Sequence, residues 1–442
     1  MNKWFYRILL FVFFALLASL TVTDSLHSTT YVNVYELIKP VNQRLGNELS
    51  DFEGAAYIDL QVSRFMDRAE LKGVSLAIVN EGKLVFSRGY GFANEEEGIE
   101  TSPEHIYRLA SVSKLITAVA IMKLVEEDKL SLDDKVFGSE GFFNDEAYLN
   151  IRDSRLYDIT ILHLLQHTAG WTQQYGDPAF NQRVIATRMG DTLPIGIDTY
   201  LRFAVSRNLH FSPGSRYSYS NMAYMFLGAI IEQITGLSYE KYVQHYILFP
   251  NDIYDMHLAN NSYTEKFENE VRYYPHDGSK YVMSVMGDSA WVSKPYGGND
   301  IRLLGAAGGW VSSATELSKL LTLIDGCELV PDLLTAKSIE QMTSASDRAL
   351  GWSETVGNTW TRTGSFSGTA AMMQRRSDGV LWVFLTNTSN WKGPGFSKDI
   401  NQLMGRIIRR TEDKWPEHDL FNYFSPDIIS YKPDLFDTYS IH

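Results

Sequence analysis

Ser111 and Lys114 stand three residues apart in Ser111-Val112-Ser113-Lys114, followed in order by Tyr219-Ser220-Asn221 and Arg362-Thr363-Gly364. A serine and a lysine at this spacing share one face of a helix, so the amine can reach the hydroxyl that must lose its proton. With Ser111 at a helix N-terminus, its backbone N–H is left free to face a developing oxyanion. The chemistry these residue types suggest is acyl transfer through a serine.

The tetrapeptide alone is not specific, because Ser238-Tyr239-Glu240-Lys241 and Ser389-Asn390-Trp391-Lys392 satisfy the same pattern. Context separates them. Ser238 lies in a charged helix signal and Ser389 in a loop rich in Trp, Gly and Pro. Ser111 is followed by Leu115, Ile116, Ala118, Val119, Ala120, Ile121, Leu124 and Val125, a run too continuous for a surface helix. Lys114 is therefore expected to be dehydrated, and burial lowers the pKa of a lysine toward the range where it accepts a proton. A core helix with a polar start is the plainer reading of this segment taken alone.

Tyr219-Ser220-Asn221 has chance competitors in Tyr31-Val32-Asn33 and Tyr148-Leu149-Asn150, but only this copy follows a Pro213-Gly214 turn and opens an apolar helix, Ala223 to Ile234, stopped by Gly236. A phenol delivered beside Lys114 can relay a proton, and the Asn221 amide can hold a substrate carbonyl.

With these elements in this order, the chain resembles the serine β-lactamase-related family, the group of class C β-lactamases, DD-peptidases and family VIII esterases, over about residues 60 to 410. Leu164-Leu165-Gln166-His167-Thr168-Ala169-Gly170 is similar to that family's Leu-Leu-x-His-Thr-Ser-Gly segment, and Gly305 to Ser313 to its glycine-rich stretch before a helix. Gly364-Ser365-Phe366-Ser367-Gly368-Thr369 is similar to its glycine-spaced strand at the cleft edge. The resemblance implies an α/β (α+β) fold, an antiparallel sheet flanked by helices with an inserted helical region. It implies Ser111 as nucleophile, Lys114 as its basic neighbour and Tyr219 as general base or proton shuttle, with the order of proton transfer between the last two left open. The backbone N–H groups of Ser111 and Ser365 would form the oxyanion hole. Asn221, Arg362, Thr363 and Gly364 would line the substrate site, with Gln173 or Gln174 close by, and no metal or cofactor is called for.

Arg362 departs from the pattern, since the third element of such proteins usually starts with lysine or histidine. Arginine brings a fixed cationic fork suited to a carboxylate and unsuited to passing a proton. The alternative is a salt-bridged strand residue facing solvent.

The rest of the sequence sets the frame. A net charge of −13 with scattered charges, and no basic aromatic cluster, argue against nucleic acid. The single Cys327 excludes an intrachain disulfide. Lys3 and Arg7 precede the uncharged Ile8 to Thr23, so residues 1–23 read as a signal peptide or, uncleaved, a membrane anchor. Export to the periplasm or medium is expected, with membrane association through residues 8–23 if cleavage fails. Residues 24–50 read as a tether, 51–412 as the hydrolase domain and 413–442 as a tail free to wrap the surface. Within the domain a helix is expected near Asp59 to Lys72. Hairpin strands follow at Val74 to Asn80 and Leu84 to Gly91, and a second pair, Thr369 to Gln374 and Val380 to Thr386, surrounds Asp378-Gly379. The helix Lys398 to Arg409 closes the domain, and no internal repeat is evident.

His163 and His167 have zinc-like spacing, but no glutamate follows His163 and Gly170 ends the helix, so structural histidines are expected. Gly287-Asp288-Ser289 lacks the glycines of a trypsin-like oxyanion hole, and no Gly-x-Ser-x-Gly occurs. Tyr273, Tyr274, Tyr281, Trp291 and Tyr296 form either a substrate wall or loop packing. The expected activity is hydrolysis of small esters, or of amides such as D-amino-acid peptides and β-lactams, through an acyl-enzyme on Ser111. The competing class is a catalytically idle, penicillin-binding-like ligand-binding or sensor protein.

Overall fold

The alternating run Val74-Ser75-Leu76-Ala77-Ile78-Val79 sends Val74, Leu76 and Ile78 to one face of a strand and Ser75, Ala77 and Val79 to the other. All six are buried in the computed structural model, which describes residues 39–276, 281–344 and 348–423. A strand buried on both faces must be central. This strand, β1 (Gly73–Asn80), returns through Glu81 and Gly82, both at positive φ (51° and 74°), into β2 (Lys83–Asn94). Two positive φ values are what a tight hairpin with right-handed twist demands.

On its other edge β1 pairs with a strand from the far end of the chain, with Val74 opposite Thr386 and Val79 opposite Leu381. Numbering onward through β3 (Ile99–Glu100), β4 (Glu354–Val356), β5 (Thr359–Phe366), β6 (Thr369–Arg375) and β7 (Leu381–Thr386), the sheet order is β3-β2-β1-β7-β6-β5-β4. Every pairing is antiparallel. Gly379, at φ 87°, makes the β6–β7 turn.

Helices α1 (Ala55–Ala69) and α6 (Phe396–Thr411) cover one face, where Ile58, Val62, Phe65, Ile400, Leu403 and Ile407 pack on Val74, Leu76, Ile78, Trp382 and Phe384. The opposite face, with Ala77, Val79, Val383 and Leu385, joins a larger core shared with the helical region inserted between β3 and β4. That region contains α2 (Ser113–Glu126), α3 (Asn221–Thr235), α4 (Ile301–Gly308) and α5 (Ala314–Thr322). Every residue of α2 from Ser113 to Met122 is buried, the outcome of its unbroken apolar run.

Some boundaries differ from the sequence expectation. Helix α1 starts at Ala55 and ends at Ala69, where Glu70 turns left-handed at φ 55°. The expected tether through Ser50 is corrected over residues 41–50. Val41 and Leu45 are in the main core, and Asn42–Arg44 and Asn47–Ser50 form 3-10 turns. Asn42 donates to Asp255 at 2.7 Å and to the Glu104 carbonyl at 3.0 Å, and Ser50 exchanges hydrogen bonds with the Ser87 backbone at 2.7 and 2.8 Å. These partners lie 37 to 213 residues away in sequence, beyond the reach of local periodicity. In the tail, Leu420 and Phe421 are buried and Asp419 accepts the Leu84 N–H at 3.0 Å. The apolar segment Ile8 to Thr23 and the last nineteen residues of the tail lie outside the described residues. No helix among the described residues is long and apolar enough to cross a membrane.

Candidate active site

Ser111 occupies a 3-10 turn, Ala110–Val112, that runs directly into α2. Ala110 is held at φ 47°, a conformation that costs a non-glycine residue of order 1 kcal/mol and persists only where the surroundings enforce it. Part of that enforcement comes from β5. A Cβ on Gly364 would stand 2.2 Å from the Leu109 carbonyl oxygen and 3.0 Å from the Ser111 nitrogen, so glycine is required for the strand to lie against the serine turn.

Lys114, one turn further, is fully buried, and its Nζ donates to Asn221 Oδ1 at 2.6 Å and to the Ala307 carbonyl at 2.5 Å. It lies 4.8 Å from the centre of the Tyr219 ring. Burial lowers its pKa, and the nearby Arg362 charge acts in the same direction, against the opposing influence of Tyr219 and Asp177.

The Tyr219 hydroxyl donates to Ser111 Oγ at 2.7 Å. Burial pushes this phenol up, but the charges of Lys114 and Arg362, with the hydrogen bond to Ser111, outweigh it and leave the pKa below that of an ordinary tyrosine. Behind the phenol lies His167, its ring centre 4.4 Å from that of Tyr219, with Nδ1 accepting the Ser220 N–H at 3.2 Å. Burial, then Lys114 and Arg362, drive His167 well below the usual histidine range, so it packs as a neutral ring. His163 is elsewhere, its Nδ1 accepting the Thr160 N–H at a helix start. Among the described residues no group of His, Cys, Asp and Glu is arranged to hold a metal ion.

The alternative of a solvent-facing, salt-bridged Arg362 does not hold. The side chain is 3% exposed, and its Nε and Nη2 both donate to the Ser111 carbonyl, at 2.7 and 2.5 Å. The guanidinium thus fastens the serine turn from its C-terminal side, while Tyr219 contacts the hydroxyl.

One cavity of about 470 Å³ is lined by Ser111, Tyr219, Asn221, Arg362, Thr363, Gly364 and Ser365 among others, and Lys114 bonds Asn221 from outside that lining. Ser111 and Ser365, the residues expected to supply the oxyanion donors, both line this space. Gln173 lines it and Gln174 does not. Asn221 is already engaged on both ends of its amide, by Lys114 and by Asp177 Oδ2 at 2.5 Å, which leaves one amide proton for a ligand. Asp177 was not singled out from sequence. It also accepts from Gln173 at 2.6 Å and caps the turn Pro178–Phe180 through Ala179 N–H at 3.0 Å. The Asp-Pro cap is legible in sequence, whereas its contact with Asn221 is not.

Phe180 and Phe366, with ring centres 5.8 Å apart, form the aromatic wall of the cavity. None of the five aromatics weighed either as a substrate wall or as loop packing lines this cavity. Tyr273 and Tyr296 flank Arg108, at 4.5 and 5.5 Å from its guanidinium carbon, and Tyr281 and Trp291 are exposed on a separate two-stranded ribbon. Tyr274 bonds Glu96 at 2.6 Å. Of the other Ser-x-x-Lys copies, Ser238 caps a helix by accepting the Lys241 N–H, and Ser389 accepts the His276 N–H at 3.0 Å while Lys392 pairs with Asp399.

The Beta-lactamase family model matches residues 58–403. Protein flp of Staphylococcus aureus (strain MRSA252) is 30% identical over 240 residues, covering 54% of this chain and 43% of that protein. Esterase EstB of Burkholderia gladioli is 31% identical over 185 residues, 41% of this chain and 46% of its own. The matches thus span less than half the length of these relatives. Among solved structures, the octameric penicillin-binding protein homologue from Pyrococcus abyssi superposes with a TM-score of 0.60 at 26% identity, over 79% of this chain and 77% of that one. The D-amino acid amidase from Ochrobactrum anthropi SV3 in complex with D-phenylalanine reaches 0.62 at 19% identity, over 82% and 99%. The matched segment takes in the whole serine turn, the tyrosine loop and the strand β5, and the chain belongs to the Beta-lactamase family.

Proposed function

We propose that this chain is a serine hydrolase that forms an acyl-enzyme on Ser111, with small esters or amides as substrates. The observation that carries the proposal is the 2.7 Å hydrogen bond between Tyr219 and Ser111 Oγ, made by a phenol whose pKa is lowered by Lys114 and Arg362. As a phenolate, Tyr219 accepts the Ser111 proton while Oγ attacks the acyl carbon. Lys114 bonds to Asn221 and Ala307 rather than to Ser111, so it acts through Tyr219 by charge.

The carbonyl electron pair moves to oxygen, which takes hydrogen bonds from the N–H groups of Ser111 and Ser365. Collapse of the tetrahedral species breaks the bond to the alcohol or amine, which leaves with the proton from Tyr219. Water then attacks the acyl carbon, Tyr219 takes a proton from it, and Ser111 Oγ recovers that proton as the acid departs. The net reaction is addition of one water across an ester or amide bond.

An ester or amide substrate fits a cavity with an aromatic wall on one side and polar groups converging on Ser111 on the other. The relationship to an esterase and the likeness to a D-amino acid amidase support the same two classes. Treatment with a fluorophosphonate followed by peptide mapping tests the nucleophile, and turnover of p-nitrophenyl acetate, D-phenylalanine amide and benzylpenicillin ranks the classes. A protein that neither labels at Ser111 nor turns over any of the three would overturn the proposal.

A further inference from the structure

A second cavity, of about 460 Å³, lies across the segment 172–178 from Ser111, and no residue lines both. Gln173 and Asp177 face the Ser111 side, whereas Thr172, Tyr175, Gly176 and Pro178 face the other. Three arginines, Arg152, Arg188 and Arg207, line this second cavity together with Trp171, Phe203 and Met222. Among the described residues no acidic side chain lines it.

The arginines are distinguished by what they lack. Their neighbours in sequence are engaged: Arg155 pairs with Asp153 at 2.6 Å, Arg202 with Asp198 at 2.8 Å and with Asp191, and Arg183 donates to the Ser284 carbonyl. The guanidinium groups of Arg152, Arg188 and Arg207 have no carboxylate within ion-pair distance among the described residues, in a chain whose net charge is −13. All three are exposed, so water and salt screen their repulsion, and their guanidinium groups are left open to an anion entering the recess. Trp171 and Met222 are buried at the base, giving an apolar floor, and the His210 ring stacks on Tyr175 at 5.7 Å at the rim. Guanidinium groups are suited to forked hydrogen bonds with carboxylate or phosphate, and the floor is suited to a ring or short alkyl group.

We propose that this recess binds a small amphipathic anion, with its carboxylate or phosphate on Arg152, Arg188 and Arg207 and its apolar body on Trp171, Phe203 and Met222. The occupant contacts one wall of the segment whose other wall carries Asp177, the residue that holds Asn221 at 2.5 Å.

Titration calorimetry with phenyl phosphate and phenylacetate tests both head groups, with inorganic phosphate and phenol as the separate halves. One of the two amphipathic anions should bind at one per chain, at least tenfold tighter than either half, and weaken as sodium chloride is raised. Arg188→Gln and Arg207→Gln change exposed side chains, so the fold is not at risk; each should weaken that binding at least tenfold. Arg362→Gln, which alters the Ser111 cavity, should leave it unchanged. Affinity indifferent to Arg188→Gln and Arg207→Gln, no gain over inorganic phosphate and phenol, or loss with Arg362→Gln would each overturn the assignment.

Discussion

Replacing Arg362 with glutamine should move the acid limb of the pH profile of kcat/KM upward. Arg362 holds the Ser111 carbonyl at 2.7 and 2.5 Å, and Tyr219 holds Ser111 Oγ at 2.7 Å, so a single residue bridges the charge and the phenol. For a separation of roughly 6 Å and an effective dielectric of about 20, Coulomb's law gives ~3 kcal/mol, equivalent to about two pH units. Water and side-chain relaxation reduce this, and the expected displacement is about one to two units. The sign is the same whichever partner holds the proton, because the Arg362 charge lowers the pKa of both Tyr219 and Lys114. Removing it raises both, so the basic form appears only at higher pH. Arg362→Lys keeps a charge and should leave the limb within about half a unit and ester hydrolysis within about tenfold, which is ~1.4 kcal/mol. The assay is initial-rate hydrolysis of p-nitrophenyl acetate across pH, with circular dichroism to verify that each variant is folded. A folded Arg362→Gln protein whose acid limb coincides with that of the unmodified enzyme would refute the electrostatic role.

Labelling by a fluorophosphonate should add one group per chain, vanish in Ser111→Ala, and survive Ser238→Ala and Ser389→Ala, as read by intact mass. Lys114→Ala and Tyr219→Phe should each lower kcat by about 10² or more, and the double variant should cost far less than their product, since the two serve one proton transfer; multiplicative losses would separate their roles. Glu316 is buried, its pKa raised to about 8 by burial and by the charge of Asp255. Its folded pKa exceeds the unfolded value, so it withdraws stability as pH rises from about 4.5 to about 8 and no further above that. Glu316→Gln should therefore gain in Tm relative to the unmodified protein across that window, as measured by calorimetry; a constant difference from pH 5 to 8 would contradict the buried neutral carboxyl.

The two hairpins and the buried helix after Ser111 were legible because each is written in local period and turn chemistry: alternation in Val74 to Val79, Glu81-Gly82 and Asp378-Gly379 turns, and an unbroken apolar run from Leu115. The family's segments placed Ser111, Tyr219 and β5 around one cavity for a similar reason, since each is a short pattern. What stayed hidden is set by contacts across the chain. Arg362 meets Ser111 across 251 positions, Asn221 meets Asp177 across 44, and Asn42 meets Asp255 across 213. Residue type indicates that an arginine needs acceptors and an asparagine needs both kinds of partner, but not which ones topology will bring. The aromatics between Tyr273 and Tyr296 show the converse, since a cluster in sequence divides in space between a buried arginine and a surface ribbon.

The central pairing of the sheet has a consequence for biosynthesis. Strand β1 gains its second neighbour only when β7 has been made, with Val74 opposite Thr386. A growing chain that has completed Ser111, Lys114 and Tyr219 still lacks β5, β6 and β7, so the serine turn has no strand against which to fix Ala110 and no guanidinium on its carbonyl. Bringing such distant segments together slows folding more than it weakens the final structure, because the entropy of closing a loop grows only with the logarithm of its length. No nascent fragment ending before β7 should therefore carry the proposed activity, and Ser111, Lys114 and Tyr219 stay disarmed on the ribosome until that last strand has emerged.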